Sequence, residues 1–240
     1  MKVDYIHHCG SDLAVVNAAR VSFDKESSGV EICSYCKKED AHGIFQCERE
    51  DCDYVQTVIV PTEQDKKLIK YLATHDHHSP FNHSFITMRV KAPIFVARQL
   101  VKHKFMPWNE ISRRYVDSAP EFYTPSKWRK KTTDKKQGSS EESINPEYNP
   151  LFLQERIRYA YLEATQDFDL CPEQARMILP LNTYTEWYWS GTLGAWLDML
   201  KLRLKDDTQQ ETREVAEQCA DIIAGLFPVS YQTVIGDKSD

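Results

Sequence analysis

At 240 residues with 41% hydrophobic content, the chain can bury the core of one sizeable domain with a small appended module. No stretch is apolar and long enough to span a bilayer, and the opening MKVDYIHHCG lacks the core of a signal peptide, which implies a soluble cytoplasmic protein. A net charge of -6 argues against a general polyanion binder, so any anion site must be local.

In chain order, SDLAVVNAARVSF (Ser11 to Phe23) opens with the cap-type residues Ser11 and Asp12 and continues at helical apolar spacing. A polar, cysteine-rich block follows, from about Ser27 to Val58. Helical pattern resumes in PTEQDKKLIKYLATH, where Thr62 and Asp65 form a capping box with aspartate in the acid position. SFITMRV alternates, with Ile86, Met88 and Val90 on one face and Phe85, Thr87 and Arg89 on the other, which predicts a strand. Pro93 suits the first turn of a helix running on through Lys104. Residues 130–149 read as a polar loop, and beyond it Leu153, Ile157, Tyr161, Ala164 and Phe168 make a helical stripe. A short helix follows Pro172, and a long aromatic helix is predicted through TEWYWSGTLGAWLDMLKLRL (Thr185 to Leu204). The last helix carries Val215, Cys219, Ile222 and Leu226 on one face. Helix outweighs strand and no internal repeat is visible, so the pattern implies an α+β fold.

Four of the seven cysteines fall in one block, as Cys33-x2-Cys36 and then Cys47-x4-Cys52 after ten intervening residues. Two short-spaced thiolate pairs can close a tetrahedral zinc site, and such sites stabilise small modules that lack a core. The expectation is a zinc-ribbon-like structural module over residues 28–58, inserted in a single domain over 1–240. A loop with incidental free thiols is the alternative, and His42 is a possible substitute ligand.

Chemistry concentrates in VKHKFMPWNEISRRY (Val101 to Tyr115), where four lysines and arginines and one histidine surround a single carboxylate, Glu110. Arg98 and Gln99 precede it inside an apolar helical pattern, where an unpaired guanidinium needs a carboxylate or an anionic ligand. Arginine suits phosphate because its planar fork donates parallel hydrogen bonds. Ser112 and Arg114 can add hydroxyl and cationic donors, and Glu110 can orient an imide or a sugar hydroxyl. These groups read equally as a nucleotide pocket or as a solvated basic helix face. THDHHSPFNH gathers His75, His77, His78 and His83 without a recognised metal spacing. Arg176 and Arg203 are further cations with apolar neighbours, and Trp187, Trp189 and Trp196 are core or interface candidates.

The segments DLAVVNAARVSFD, HSPFNHSFITMRVKAPIFVARQ, KHK followed by NEISRRY, and ARMILPLNTYTEWYW resemble, in order, the landmark segments of the flavin-dependent thymidylate synthases. Most members of that family carry Arg-His-Arg, seven residues, then Ser; this chain has Lys102-His103-Lys104, seven residues, then Ser112. The resemblance implies a homotetramer built on a twisted, mainly antiparallel sheet with packed helices, its active sites shared between subunits. It implies FAD reduced by NADPH, methylenetetrahydrofolate as carbon donor, and dUMP as the acceptor converted to dTMP. Carried over by position, Ser22, Ser79, Lys102, His103 and Lys104 would meet flavin, with Lys102 also near dUMP. Arg98, Gln99, Glu110, Ser112, Arg113, Arg114, Arg176 and Arg203 would line the dUMP site. Arg203 would face the uracil ring and His77 a position near flavin and folate; these two and Ser112 are the candidates for direct catalytic roles. Ser112 has no base adjacent in sequence, which favours binding over nucleophilic attack. Where the family commonly has an Asn-x-Arg flavin contact, this chain has Thr192 and Gly194. A single-stranded nucleic-acid binder, using the ribbon and the basic segment, is the rival from another class, and a nucleotide-binding homologue without catalysis is a third reading. The acidic total and the order of the landmarks leave no nucleic-acid partner expected.

Overall fold

The computed structural model describes residues 1–33, 57–132, 139–140, 142–145, 147 and 149–236. Cys36, Cys47 and Cys52 lie outside the described residues, so the zinc expectation does too. Cys33 is the last residue of a strand that pairs antiparallel with Thr57–Val60, in register Cys33 with Thr57.

Along the chain run β1 (Lys2–Cys9), α1 (Asp12–Arg20), β2 (Val30–Cys33), β3 (Thr57–Val60), α2 (Glu63–Thr74), β4 (Phe85–Pro93) and α3 (Ile94–Leu100). They are followed by β5 (Trp108–Glu110), β6 (Trp128–Arg129), β7 (Ser143–Ile144), α4 (Gln154–Leu162), α5 (Pro172–Ala175), β8 (Tyr184–Thr192), α6 (Leu193–Arg203), α7 (Gln210–Leu226) and α8 (Pro228–Tyr231). The main sheet has the order β1-β4-β8-β5, and β5 runs antiparallel to β8. The α+β expectation therefore holds. The stretch predicted as a polar loop over 130–149 instead contains β7, which pairs antiparallel with β6, Trp128 opposite Ile144.

The residues divide into two compact units. Unit one comprises Met1–His7, Ile86–Gly191 and Asp198–Asp221. Its core takes Ile86, Met88 and Val90 from the predicted inner face of β4, together with Trp187 and Trp189 of β8, all buried. Unit two comprises His8–Phe85, Thr192–Leu197 and Ile222–Asp240. There Val15, Val16, Ile69, Leu72, Phe81, Trp196 and Phe227 are buried.

The predicted helix over Thr185 to Leu204 is instead a strand followed by a helix. Along β8, Thr185, Trp187, Trp189 and Gly191 are buried while the residues between them are not, a period of two that suits β-branched and aromatic side chains. Helical spacing begins only at Leu193, whose amide donates to the Ser84 carbonyl at 2.9 Å. The stripe on α7 also turns: Val215 and Cys219 are buried, but Ile223 and Phe227 continue it in place of Ile222 and Leu226. In the stripe on α4, Tyr161 and Ala164 are buried whereas Leu153 and Phe168 are exposed.

The capping box forms as expected, and its acid does more than cap. Asp65 is fully buried. Its carboxylate accepts from the Thr62 amide at 3.0 Å and hydroxyl at 2.8 Å, from the Ser27 hydroxyl at 2.6 Å, and from Arg20 Nη2 at 2.7 Å. Burial alone would raise its pKa, but the bonds from Ser27, Thr62 and Arg20 outweigh that and hold it below the usual carboxylate value. Asp65→Ala should lower the unfolding free energy by about 3 kcal/mol at pH 7, because charged, buried acceptors are lost and Arg20 is orphaned. A depressed folded pKa gives stability that is present above the unfolded value of about 4 and lost as pH falls through the folded value. The deficit of the variant, read from urea midpoints, should therefore shrink in acid.

Candidate active site

Helix α3 stops at Leu100 and does not carry the cations of the basic segment. The Val101 amide donates to Ala97 O at 2.9 Å and the His103 amide to Leu100 O at 3.1 Å, closing a turn. Phe105 then adopts φ 61°, a left-handed conformation rare for a bulky residue, and redirects the chain into β5. Lys102 and Lys104 are exposed on that turn. The solvated-helix reading thus fails on geometry. Arg98 proves exposed too, which removes the need for an internal carboxylate.

Strand β5 fixes Glu110 opposite Trp187. Its carboxylate accepts from Thr185 Oγ1 at 2.7 Å and from Trp108 Nε1 at 3.1 Å, so both oxygens are oriented. The following turn places Ser112 Oγ as acceptor for the Arg114 amide at 3.3 Å and Arg114 Nε at 3.4 Å. Arg113 stacks its guanidinium 5.8 Å above the Tyr161 ring and donates to Ser118 O. Arg176, just past α5, donates to Glu173 O at 3.2 Å. These residues line one cavity of about 670 Å³, within the range of small-ligand pockets. Lys91, Glu121, Thr185 and Glu186 also line it, and sequence reading missed them. Reading Tyr184–Thr192 as a strand would have revealed Thr185, since the alternation puts it on the same face as Trp187.

A second cavity, of about 540 Å³, is lined by Arg98, Gln99, Lys102, Arg129, Ser139, Arg203 and Gln209. It shares no residue with the first. Arg203, the last residue of α6, donates through Nε to His103 Nε2 at 3.0 Å and through Nη2 to Gln99 O at 3.1 Å. That bond requires a neutral imidazole with its proton on Nδ1. Burial, and then the neighbouring Arg203 charge, lower the His103 pKa to about 4, against an opposing pull from Asp198. The eight predicted dUMP residues therefore fall into two groups, Glu110, Ser112, Arg113, Arg114 and Arg176 in the first cavity and Arg98, Gln99 and Arg203 in the second.

The predicted flavin residues are distributed as well. Lys102, His103 and Lys104 belong to unit one, and Ser22, Ser79 and His77 to unit two. His77 is exposed and meets the Tyr71 ring edge-on at 5.8 Å. Ser22 and Ser79 are exposed in short 3-10 turns, Val21–Phe23 and Ser79–His83. Among the described residues Lys102 and Lys104 have no carboxylate partner, a donor set that fits a diphosphate. At the second flavin-side departure, Thr192 Oγ1 donates to Asn82 Oδ1 at 2.8 Å. A Cβ at Gly194 would stand 2.5 Å from the same Oδ1, so Asn82 fills the space a side chain at 194 would need.

Ser112 has no histidine or carboxylate partner among the described residues, which leaves it a hydrogen-bonding hydroxyl. Cys9, Cys171 and Cys219 give no nucleophile at either cavity: the first two are exposed elsewhere, and burial pushes the Cys219 thiol far up. Among the described residues no helix is long and apolar enough to cross a membrane, and no histidine, cysteine and carboxylate group could hold a metal ion.

Fold and site together define an α+β protein whose candidate residues line two separate arginine-bearing cavities. The family model described as thymidylate synthase complementing protein matches residues 4–229. The chain belongs to that family, the flavin-dependent thymidylate synthases. It is 34% identical over 230 residues to the flavin-dependent thymidylate synthase of Thermus thermophilus, covering 95% of this chain and 73% of that one. The corresponding Wolbachia pipientis protein is 35% identical over 240 residues, covering 97% and 72%. Among solved structures, the UMP/dUMP methylase PolB from Streptomyces cacaoi, bound with 5-Br dUMP, superposes with a TM-score of 0.71 at 27% identity, over 97% of this chain and 93% of that chain.

Proposed function

We propose that this chain methylates dUMP reductively to dTMP, using methylenetetrahydrofolate as carbon donor and FAD reduced by NADPH. The observation that carries the reading is the division of donors and acceptors between the two cavities. The first offers Ser112, Arg114 and Arg176 with an oriented Glu110, a set suited to phosphate and sugar. The second offers Gln99 and Arg203, a set suited to the carbonyls and N–H of a pyrimidine. One nucleotide has both chemistries, and a second copy of the chain would bring the two halves together, in keeping with a homotetramer whose active sites are shared.

Bound flavin would supply hydride to the transferred carbon. The chain's own residues do the rest: Arg114 and Arg176 hold the phosphate, Glu110 fixes the sugar or an adjacent arginine, and Arg203 stabilises negative charge growing on a uracil carbonyl oxygen. Polarisation of this kind activates the ring without a thiol. Lys102 and Lys104 would hold the flavin diphosphate, with His103 contributing only Nδ1–H because Nε2 is engaged by Arg203. On the family resemblance alone, Ser22 and Ser79 are assigned to flavin and His77 to flavin and folate. We also propose, on ligand spacing alone, that the insertion over 28–58 carries a structural zinc ion.

The test is spectral and then catalytic. Purified protein supplied with FAD should show a bound-flavin spectrum, and adding dUMP and methylenetetrahydrofolate should couple NADPH oxidation to dTMP formation. A colourless protein that cannot be reconstituted overturns the reading. Lysine keeps charge but lacks the fork of arginine, so the double variant Lys102→Arg, Lys104→Arg should bind FAD as tightly as the parent or up to about tenfold tighter. A clear loss of affinity in that variant would count against the flavin assignment.

A further inference from the structure

A buried carboxylate far along the chain reaches the second cavity through a chain of amides. Glu211, in the first turn of α7, is 4% exposed. Its Oε1 accepts from Arg129 Nη2 at 2.7 Å, with the Tyr123 hydroxyl directed to the same oxygen at 3.5 Å. Its Oε2 accepts from Gln209 Nε2 at 3.0 Å. Gln209 Oε1 in turn accepts from Gln99 Nε2.

An ionised carboxylate can only accept, so this end of the chain sets the direction of everything after it. Gln209 must present its amide nitrogen to Glu211 and its oxygen to Gln99. Gln99 must then donate its nitrogen to Gln209, which leaves Gln99 Oε1 without a partner among the described residues. Arg203 lies alongside, tied to the Gln99 carbonyl, with N–H groups still to give. The cavity thus presents an acceptor beside donors. A uracil edge offers an N–H between two carbonyls and matches that pattern. A cytosine ring nitrogen is an acceptor and meets the Gln99 oxygen as a repulsion.

We propose that Glu211, acting through Gln209, is a positioning residue that holds the Gln99 side-chain Oε1, distinct from the backbone oxygen bound by Arg203, toward the cavity and thereby selects a uracil-type over a cytosine-type ring. The inference rests on the dUMP reading of the cavity and assigns its base discrimination. It predicts an inversion on changing one atom. In Glu211→Gln, Arg129 claims the new side-chain oxygen, because a guanidinium cannot accept a hydrogen bond. The new amide nitrogen then faces Gln209, which must flip to offer its oxygen, and Gln99 flips in response to turn its N–H toward the cavity.

The experiment measures dUMP and dCMP binding by calorimetry to FAD-loaded full-length protein, as wild type, Glu211→Gln and Gln209→Leu. Wild type should favour dUMP strongly. Both variants should lose at least about tenfold of that preference, the size of one inverted hydrogen bond, with dCMP tightening in Glu211→Gln. Should Glu211→Gln fail to fold, Gln209→Leu carries the test, because its side chain is only partly buried and its hydrogen bonds run to Gln99 and Glu211. An unchanged dUMP to dCMP ratio in the folded variants, or equal weakening of both nucleotides, overturns the relay. A wild type that binds neither nucleotide instead overturns the dUMP reading on which the relay stands.

Discussion

Arg176→Ala and Arg203→Ala should each reduce turnover by about a hundredfold or more, and coexpression of the two variants should restore activity that neither has alone. Each substitution removes a charged donor from a different cavity, so each damages a different half of the proposed site. If a site takes its first half from one chain and its second from another, random assembly of the two variants leaves about one site in four with both halves intact. Recovery to roughly a quarter of wild-type turnover per site is the expected result. The same mixture of Arg176→Ala with Arg114→Ala should recover nothing, since both strike the first cavity. Absence of recovery in the first mixture would place both halves in one chain's own site and sink the shared-site proposal. The outcome does not depend on absolute rates, because the comparison is internal to one preparation.

Local signals predicted those features that depend on neighbours in sequence. Thr62 and Asp65 form their box because the partners are three residues apart, and β4 was legible because Ile86, Met88 and Val90 alternate with polar Thr87 and Arg89, although Thr87 is buried as well. Strand β8 hid its period because both faces carry aromatics: Tyr188 points away from the buried pair Trp187 and Trp189 yet reads as equally apolar. The end of α3 was hidden for a related reason. Lys102 and Lys104 are adequate helix formers, no glycine marks the stop, and Pro107 comes only after the turn is complete.

Of the candidate site, the sequence offered residues that prove to line cavities, but not how they are arranged. Gln99, Glu110 and Ser112 lie within fourteen positions, so sequence proximity suggests one pocket. The left-handed residue at Phe105 and the pairing of β5 with β8 send the two ends of the segment to different cavities. Conversely, Gln99 and Gln209 are 110 positions apart and hydrogen-bonded. No spacing rule joins them, because the contact depends on where α3 and the start of α7 come together. The close approach at Gly194 is similar, since only the fold shows that Asn82 stands beside it.

The bond from Arg203 to His103 makes a second prediction about function and pH. Arg203 Nε can donate to His103 Nε2 only while the imidazole is neutral, and burial together with the Arg203 charge keeps it so down to about pH 4. His103 should therefore not titrate across the neutral range, and its ring resonances should show a midpoint near 4 and not near the ordinary value of about 6.5. The consequence for stability has a definite sign. The folded pKa lies below the unfolded one, so the unfolded chain binds the extra proton and stability falls as pH drops from about 6.5 to about 4. His103→Gln, which retains an acceptor but cannot titrate, should lack that part of the slope while keeping dUMP affinity within a fewfold of wild type. His103→Phe removes the acceptor, frees the guanidinium from one of its two anchors, and should weaken dUMP by about tenfold at every pH. Asp198 pulls the other way, so Asp198→Asn should lower the His103 midpoint further. A midpoint near 6.5 in the folded protein, or equal dUMP affinity in His103→Phe and wild type, would show that His103 does not orient Arg203. The segment's histidine would then be left to flavin alone.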